Sequence, residues 1–134
     1  MLIILVALLL VGVVITILFL TMNKGDEEAK EPPIEDVVAA SVDIPEITTN
    51  LSDNHFIKMQ LKIQTDSEDA AGELTQRIFQ VNNIAIQELS DMTSEDLKGK
   101  QGKITVENTL KAKINELMQT GEVQRVYITA YINQ

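Results

Sequence analysis

The sequence contains no cysteine, no tryptophan and a single histidine, and its aromatic residues are two tyrosines and three phenylalanines. Without cysteine there is no disulfide framework and no thiolate metal site. The one histidine, His55, has no second imidazole with which to share a metal, and a nucleophile-and-base pair would have to use it alone. Acids outnumber bases 20 to 11, for a formal net charge of −9. A chain of that sign with so few rings has neither the phosphate-neutralising charge nor the stacking platforms of a nucleic-acid binder. The missing cysteines fit either side of a membrane and leave the compartment open.

One long apolar run stands against these absences. Leu2 to Leu20 reads LIILVALLLVGVVITILFL, nineteen residues of which sixteen are Leu, Ile, Val or Phe, with no charge and no proline. At helical rise it is roughly 28 Å long, close to the roughly 30 Å hydrocarbon core of a bilayer. Each such residue near the centre favours insertion by roughly 0.3–0.6 kcal/mol, which amounts to several kcal/mol over the run. Gly12 and Thr16 cost little, because a threonine hydroxyl bonds back to its own helix. A cleaved signal peptide has a shorter core and a small-residue site just after it. Thr21-Met22-Asn23-Lys24 offers no such site, and Ala39-Ala40-Ser41 is too far along. A buried helix of a soluble protein is not this long and apolar all round. Residues 1–22 therefore read as a transmembrane anchor. Lys24 and Lys30 follow it, which by charge alone would put the remainder on the cytoplasmic side, but both sit among acids.

Residues 23–46 carry eight acids and two lysines, or −6, and the remaining 88 residues carry −3, so the acidity is concentrated just after the anchor. The stretch from Asn23 to Ser41 has clustered charge, a Pro32-Pro33 pair and no sustained apolar period, too little to offset the entropy of ordering. Residues 23–42 read as an acidic, Pro-containing linker, a solvated tether that could also hold the domain off an anionic lipid surface. Residues 43–134 read as one small domain.

Within that domain, Val42 to Ser52 is rich in β-branched residues, and Pro45 marks it as an edge strand. Ser52-Asp53-Asn54 is a turn. Ile57, Met59, Leu61 and Ile63 then alternate with Lys58, Gln60, Lys62 and Gln64, the period of a half-buried antiparallel strand. From Thr65 to Ser90 the period becomes helical. Asp66 or Ser67 can cap it, and Leu74, Ile78, Val81, Ala85 and Leu89 form the stripe, with Phe79 and Ile86 beside them. Thr93 to Leu97 reads as a short capped helix, and Gly99 and Gly102 as breaks. A helix from Gly102 to Gln119 follows, ended by Gly121 as a C′ glycine. A closing strand spans Val123 to Ile132, with Val126, Ile128, Ala130 and Ile132 on one face and Tyr127, Thr129 and Tyr131 on the other. The fold class is α+β: an antiparallel sheet in the order β-β-α-α-β, with helices on one side. The expected core is Ile57, Met59, Leu61, Ile63, Leu74, Ile78, Val81, Leu110, Ile114, Val126 and Ile128.

The search for chemistry returns little. His55 sits in a polar turn, and no G-x-S-x-G elbow exists. Gly99-Lys100-Gln101-Gly102-Lys103-Ile104 superficially suggests a phosphate loop, but Walker spacing needs glycine at Leu97 and Ser or Thr at Ile104. Lys98, Lys100 and Lys103 suit a solvated turn better than an anion site. Asn50-Leu51-Ser52 matches a glycosylation triplet that is frequent by chance, and Asn82-Asn83 could be polar contacts between subunits or an exposed face. The acids form no calcium-loop spacing. No catalytic, cofactor-binding or metal-ligating residue is assigned, and the chain is read as not an enzyme.

The segment Ile86-Gln87-Glu88-Leu89-Ser90-Asp91-Met92-Thr93-Ser94-Glu95-Asp96-Leu97 resembles the I-x-x-L-S-x-x-T-x-E-D-L segment of FliL, the flagellar basal body-associated protein family. Gly102-Lys103, Leu110, Ile114-Asn115 and Leu117 continue the resemblance. The stretch from Gly121 to Gln134 is similar to the family's G-x-V-x-x-V-Y-F-T-x-F-x-x-Q ending, with Ile128 and Tyr131 in place of two phenylalanines. Thr49-Asn50-Leu51 matches an upstream element, so the resemblance spans about residues 45–134. It implies a single-pass protein of the bacterial inner membrane with its domain outside the cytoplasm, and a stomatin/prohibitin-like fold. The family's short basic tail is missing before Leu2, so orientation rests on the resemblance. It further implies homo-oligomeric rings around the flagellar stator proteins MotA/MotB, supporting swimming or swarming motility. A membrane-anchored sensor or ligand-binding domain is the alternative, and it would need a concave pocket with convergent polar groups.

Overall fold

A computed structural model of the chain describes residues 1–22 and 30–134. The chain divides into two compact units, Met1–Pro32 and Pro33–Gln134. The first holds α1 (Leu2–Met22), the one described helix long and apolar enough to cross a membrane. Thr16 Oγ1 donates to the Gly12 carbonyl at 2.8 Å, which satisfies the hydroxyl within its own helix.

The second unit contains α2 (Ile34–Ala39), β1 (Ser41–Asn50), β2 (Phe56–Thr65), α3 (Glu68–Gln76), α4 (Ile78–Ser90), α5 (Gly99–Asn115) and β3 (Val123–Asn133). The strands form one antiparallel sheet in the order β1-β2-β3. The alternating β2 is its centre, and its apolar face meets α3, α4 and α5 over a core that includes Ile57, Met59, Leu61, Ile63, Leu74, Val81, Leu110, Ile114 and Val126. Burying one such side chain contributes roughly 1.5–3 kcal/mol, so this shared face holds the unit together. Ile78 and Ile128, expected in the core, are only partly buried at its margin.

Several elements differ from the sequence expectation. The tether expected over residues 23–42 lies partly outside the described residues, at 23–29. Its last part is ordered: α2 occupies Ile34–Ala39, and Ser41 and Val42 already pair with Gln64 and Ile63. Pro33 supplies the helix entry, with Asp36 and Val37 N–H bonded to its carbonyl. The helix expected from Thr65 to Ser90 is two helices meeting at Arg77, whose N–H is shared between the Glu73 and Leu74 carbonyls. The apolar stripe runs unbroken through that joint, which is why periodicity did not mark it. Ser67 does cap α3, its Oγ accepting from Ala70 N–H at 3.1 Å.

The short helix expected at Thr93–Leu97 is a single turn. Thr93 N–H donates to Asp96 Oδ2 at 2.8 Å and Asp96 N–H to Thr93 Oγ1 at 3.2 Å, a reciprocal cap with no helix behind it. The next helix begins at Gly99, not Gly102, and ends at Asn115, not Gln119. It stops because the Asn115 side chain turns to the Val123 backbone: Oδ1 accepts from Val123 N–H at 2.7 Å and Nδ2 donates to Val123 C=O at 3.1 Å. Gly121 is therefore no helix cap. It sits in the turn into β3 at φ 68°, where a Cβ would press on the Asp66 carboxylate.

Candidate interaction surface

Both outer strands interrupt their own edges. In β1 the register shifts between Ile44 and Ile47, placing Pro45 and Glu46 in a bulge. Proline has no N–H to offer there, as an edge position requires. In β3, Gln60 faces Ala130 but Leu61 faces Ile128, so Thr129 is the extra residue of a second bulge. That extra residue inverts the alternation beyond it. Tyr131 consequently lies on the helix side, with the Lys103 ammonium 4.3 Å from its ring centroid, while Ala130 and Ile132 join the open face with Tyr127. The expected placement of Ile132 with Val126, and of Tyr131 with Tyr127, fails for this reason. Next to the bulge, the Ile128 N–H donates to Glu107 Oε2 at 3.3 Å rather than to a strand.

The sheet face away from the helices carries Lys58, Lys62 and Arg125, with Asp43 and Glu46 along the β1 side. Lys62 lies 3.3 Å from Asp43 and Lys58 lies 3.9 Å from Glu46. On the outer side of the helix layer, α4 and the chain at the end of α5 enclose an open groove of about 710 Å³. Phe79, Asn83, Ile84, Glu88, Glu116 and Leu117 are among its walls, and Lys113 pairs with Glu88 across it at 3.6 Å. In the second unit, five large apolar side chains are exposed: Ile34, Val38, Phe79, Ile86 and Ile132. Phe79 is the most exposed of these at 71%. The helical stripe grouped it beside the core residues, and only the packing of α4 on β1 shows that it points away.

The residues singled out for chemistry are structural or solvated. His55 is half exposed, its Nδ1 3.2 Å from Asp53 Oδ1. Asp53 in turn accepts from Ser94 N–H at 2.9 Å, tying the β1–β2 turn to the turn before α5. That N–H lowers the Asp53 carboxyl from 3.8 to about 2, the His55 N–H adding to it. Lys103 Nζ donates to the Leu97 and Gly99 carbonyls at 3.4 Å, Lys98 pairs with Glu95, and Lys100 is exposed. They do not converge on a phosphate site. Gly102 instead permits close contact: a Cβ there would lie 2.5 Å from the Asp96 carbonyl oxygen. Asn50 is exposed at the end of β1, Asn82 is half buried, and Asn83 faces the groove. Glu73, which periodicity gave no reason to notice, accepts from the Gln119 and Thr120 N–H groups at 2.8–3.3 Å and is 3.6 Å from Arg77. The Gln119 N–H, then Thr120 and Arg77, hold its carboxyl below the ordinary value. Among the described residues no three of His, Cys, Asp and Glu gather as a metal site would require.

Comparison with known proteins bears on what these surfaces serve. The model of the flagellar basal body-associated protein FliL matches residues 41–134. The chain belongs to the FliL family. It is 39% identical over 113 residues to the flagellar protein FliL of Bacillus subtilis (strain 168), covering 84% of this chain and 81% of that protein. The matched FliL region takes in all three strands and α3 to α5, which are the elements that form both faces described above. This is a flagellar structural and regulatory family, and α1 is consistent with anchoring such a protein in a membrane.

Proposed function

We propose that this chain is a structural and regulatory component of the flagellar basal body that assembles with copies of itself around the ion-driven stator, MotA/MotB. The stator, so braced, would sustain rotation in swimming or swarming. The observation that carries this reading is the family match over residues 41–134, which takes in all three strands and α3 to α5, joined to one helix among the described residues long enough to span a bilayer. The domain would stand outside the cytoplasm, with the acidic stretch before it as a spacer, and the stomatin/prohibitin-like architecture would suit ring assembly. The role is mechanical. Confinement of many copies in the plane of a membrane raises their effective concentration, so weak pairwise contacts suffice.

A ligand-binding sensor draws its support from the groove, whose roughly 710 Å³ would admit a small molecule. Its walls mix amides and charges with Phe79, Ile84 and Leu117 in an open groove rather than a buried chamber, which favours protein contact. Photoreactive residues at Lys62 and Asn83, both reachable from solvent, test the choice in cells. Self-ladders together with MotB adducts are expected. Adducts to neither, from well-inserted protein, would overturn the scaffold reading in favour of the sensor.

A further inference from the structure

The first element of the second unit, α2, contributes nothing to the core. It has six residues, none of them buried, and its apolar Ile34 and Val38 are 67% and 55% exposed. An isolated helix shorter than about 12 residues is marginal in water, and α2 lacks the packing that would offset this. Local bonds keep it folded at rest. The Pro33 carbonyl accepts from Asp36 and Val37 N–H at 3.0 and 3.1 Å, and the Asp36 carbonyl accepts from Ala40 N–H at 3.0 Å. The Ser41 hydroxyl donates to the Val37 carbonyl, and Glu35 and Asp36 in the first turn suit the helix dipole. At Ala40 the surroundings change abruptly. Its carbonyl accepts from Thr65 N–H at 2.8 Å and from Thr65 Oγ1 at 2.7 Å, and Thr65 is 2% exposed. Beyond that clamp, β1 buries Val42, Ile44 and Ile47 in the core.

We propose that α2 is an extensible joint: under load it unravels and refolds while the sheet stays closed, and the Thr65–Ala40 clamp is where the lengthening stops. This rests on the reading of α1 as a membrane anchor, which makes the chain before β1 the link through which a load reaches the sheet. Six residues span about 9 Å at helical rise and about 20 Å extended, so opening adds about 11 Å of reach. Opening breaks helix bonds on exposed backbone, and water replaces them. Going further strips a buried carbonyl, amide and hydroxyl of their partners and draws Val42 out of the core, a far steeper cost. The two stages therefore separate. Helix–coil relaxation takes about 0.1–1 μs in peptides, so the joint recloses as soon as the load falls. Such a joint lets the folded unit keep its contacts while its distance from the bilayer varies.

The cysteine-free sequence allows pulling handles to be placed at will. Ile34→Cys and Gln60→Cys, both at exposed positions, attach the full-length chain in detergent to magnetic tweezers. As force rises, the expected trace shows a reversible lengthening of up to about 11 Å before the sheet opens. Val38→Pro breaks α2 without touching Thr65, and should abolish that first step while leaving the later unfolding force unchanged. Hydrogen exchange gives a second reading. The Val38, Ala39 and Ala40 amides should be less protected than the Thr65 amide by about 100-fold or more. Thr65→Val removes the clamp hydroxyl and should speed exchange at Val42 by about tenfold or more. A single event with no earlier step, α2 amides as protected as Thr65, or a lower main unfolding force in Val38→Pro would overturn the joint. Unchanged exchange at Val42 in Thr65→Val would overturn the clamp as its stop. None of these readings requires α1 to lie in a bilayer. Resistance of the chain to carbonate extraction from cell membranes reads the anchor separately, so the two failures are told apart.

Discussion

Gly102 offers the sharpest test of how the turn before α5 is packed, because its neighbours are backbone. A Cβ at this position would sit 2.5 Å from the Asp96 carbonyl oxygen, 2.5 Å from the Leu97 carbonyl carbon and 2.8 Å from the Leu97 Cα. Ordinary contact begins near 3.4 Å, so the turn would have to retreat by about 1 Å. Leu97 is fully buried and moves with that turn, so retreat lifts it from the core. Overpacking of this kind costs up to about 3 kcal/mol, and alanine recovers about 1 kcal/mol of helix propensity, leaving Gly102→Ala destabilised by about 2 kcal/mol. Gly72 in α3 is the control: nothing lies within 4 Å of a Cβ there, so Gly72→Ala should stabilise by about 0.5–1 kcal/mol. Urea melts of the full chain in detergent, read by the fluorescence of Tyr127 and Tyr131, measure both, since no tryptophan competes. A neutral or stabilising Gly102→Ala would refute the close approach of the turn to α5.

Three further outcomes are expected. Asn115→Ala removes both bonds to the Val123 backbone and should cost about 1–3 kcal/mol, with faster hydrogen exchange at the start of β3 as the local signature. Asp53 has a carboxyl lowered from 3.8 to about 2, so its contribution is present above about pH 4 and is lost as pH falls through 2. The stability difference between the native chain and Asp53→Asn should shrink over that window, and a gap that persists at pH 1.5 would show that the carboxylate is not its source. Glu73→Gln weakens the acceptor held by Gln119 and Thr120 N–H, so exchange at those two amides should rise while β1 and β2 stay protected.

The sequence by itself determined a helix long and apolar enough to cross a membrane, because sixteen of its nineteen residues are large and apolar. It also determined β2, whose strict alternation admits one buried face, and the Ser67 cap, which is a local hydrogen bond. The family, too, was legible in the order and spacing of the 86–97 and 121–134 segments. Other features were decided only when strands and helices met. One is the Thr129 bulge, which reverses every side chain after it and carries Ile132 outward and Tyr131 inward. A bulge follows from pairing register between distant strands, which no local period contains. The break at Arg77, the stop of α5 at Asn115 and the outward aim of Phe79 are of the same kind. Each depends on a partner elsewhere in the chain: the sheet beneath α3 and α4, the backbone of Val123, the packing of α4 on β1. The candidate surface lies among these tertiary features, because a face exists only once its strands have been set side by side.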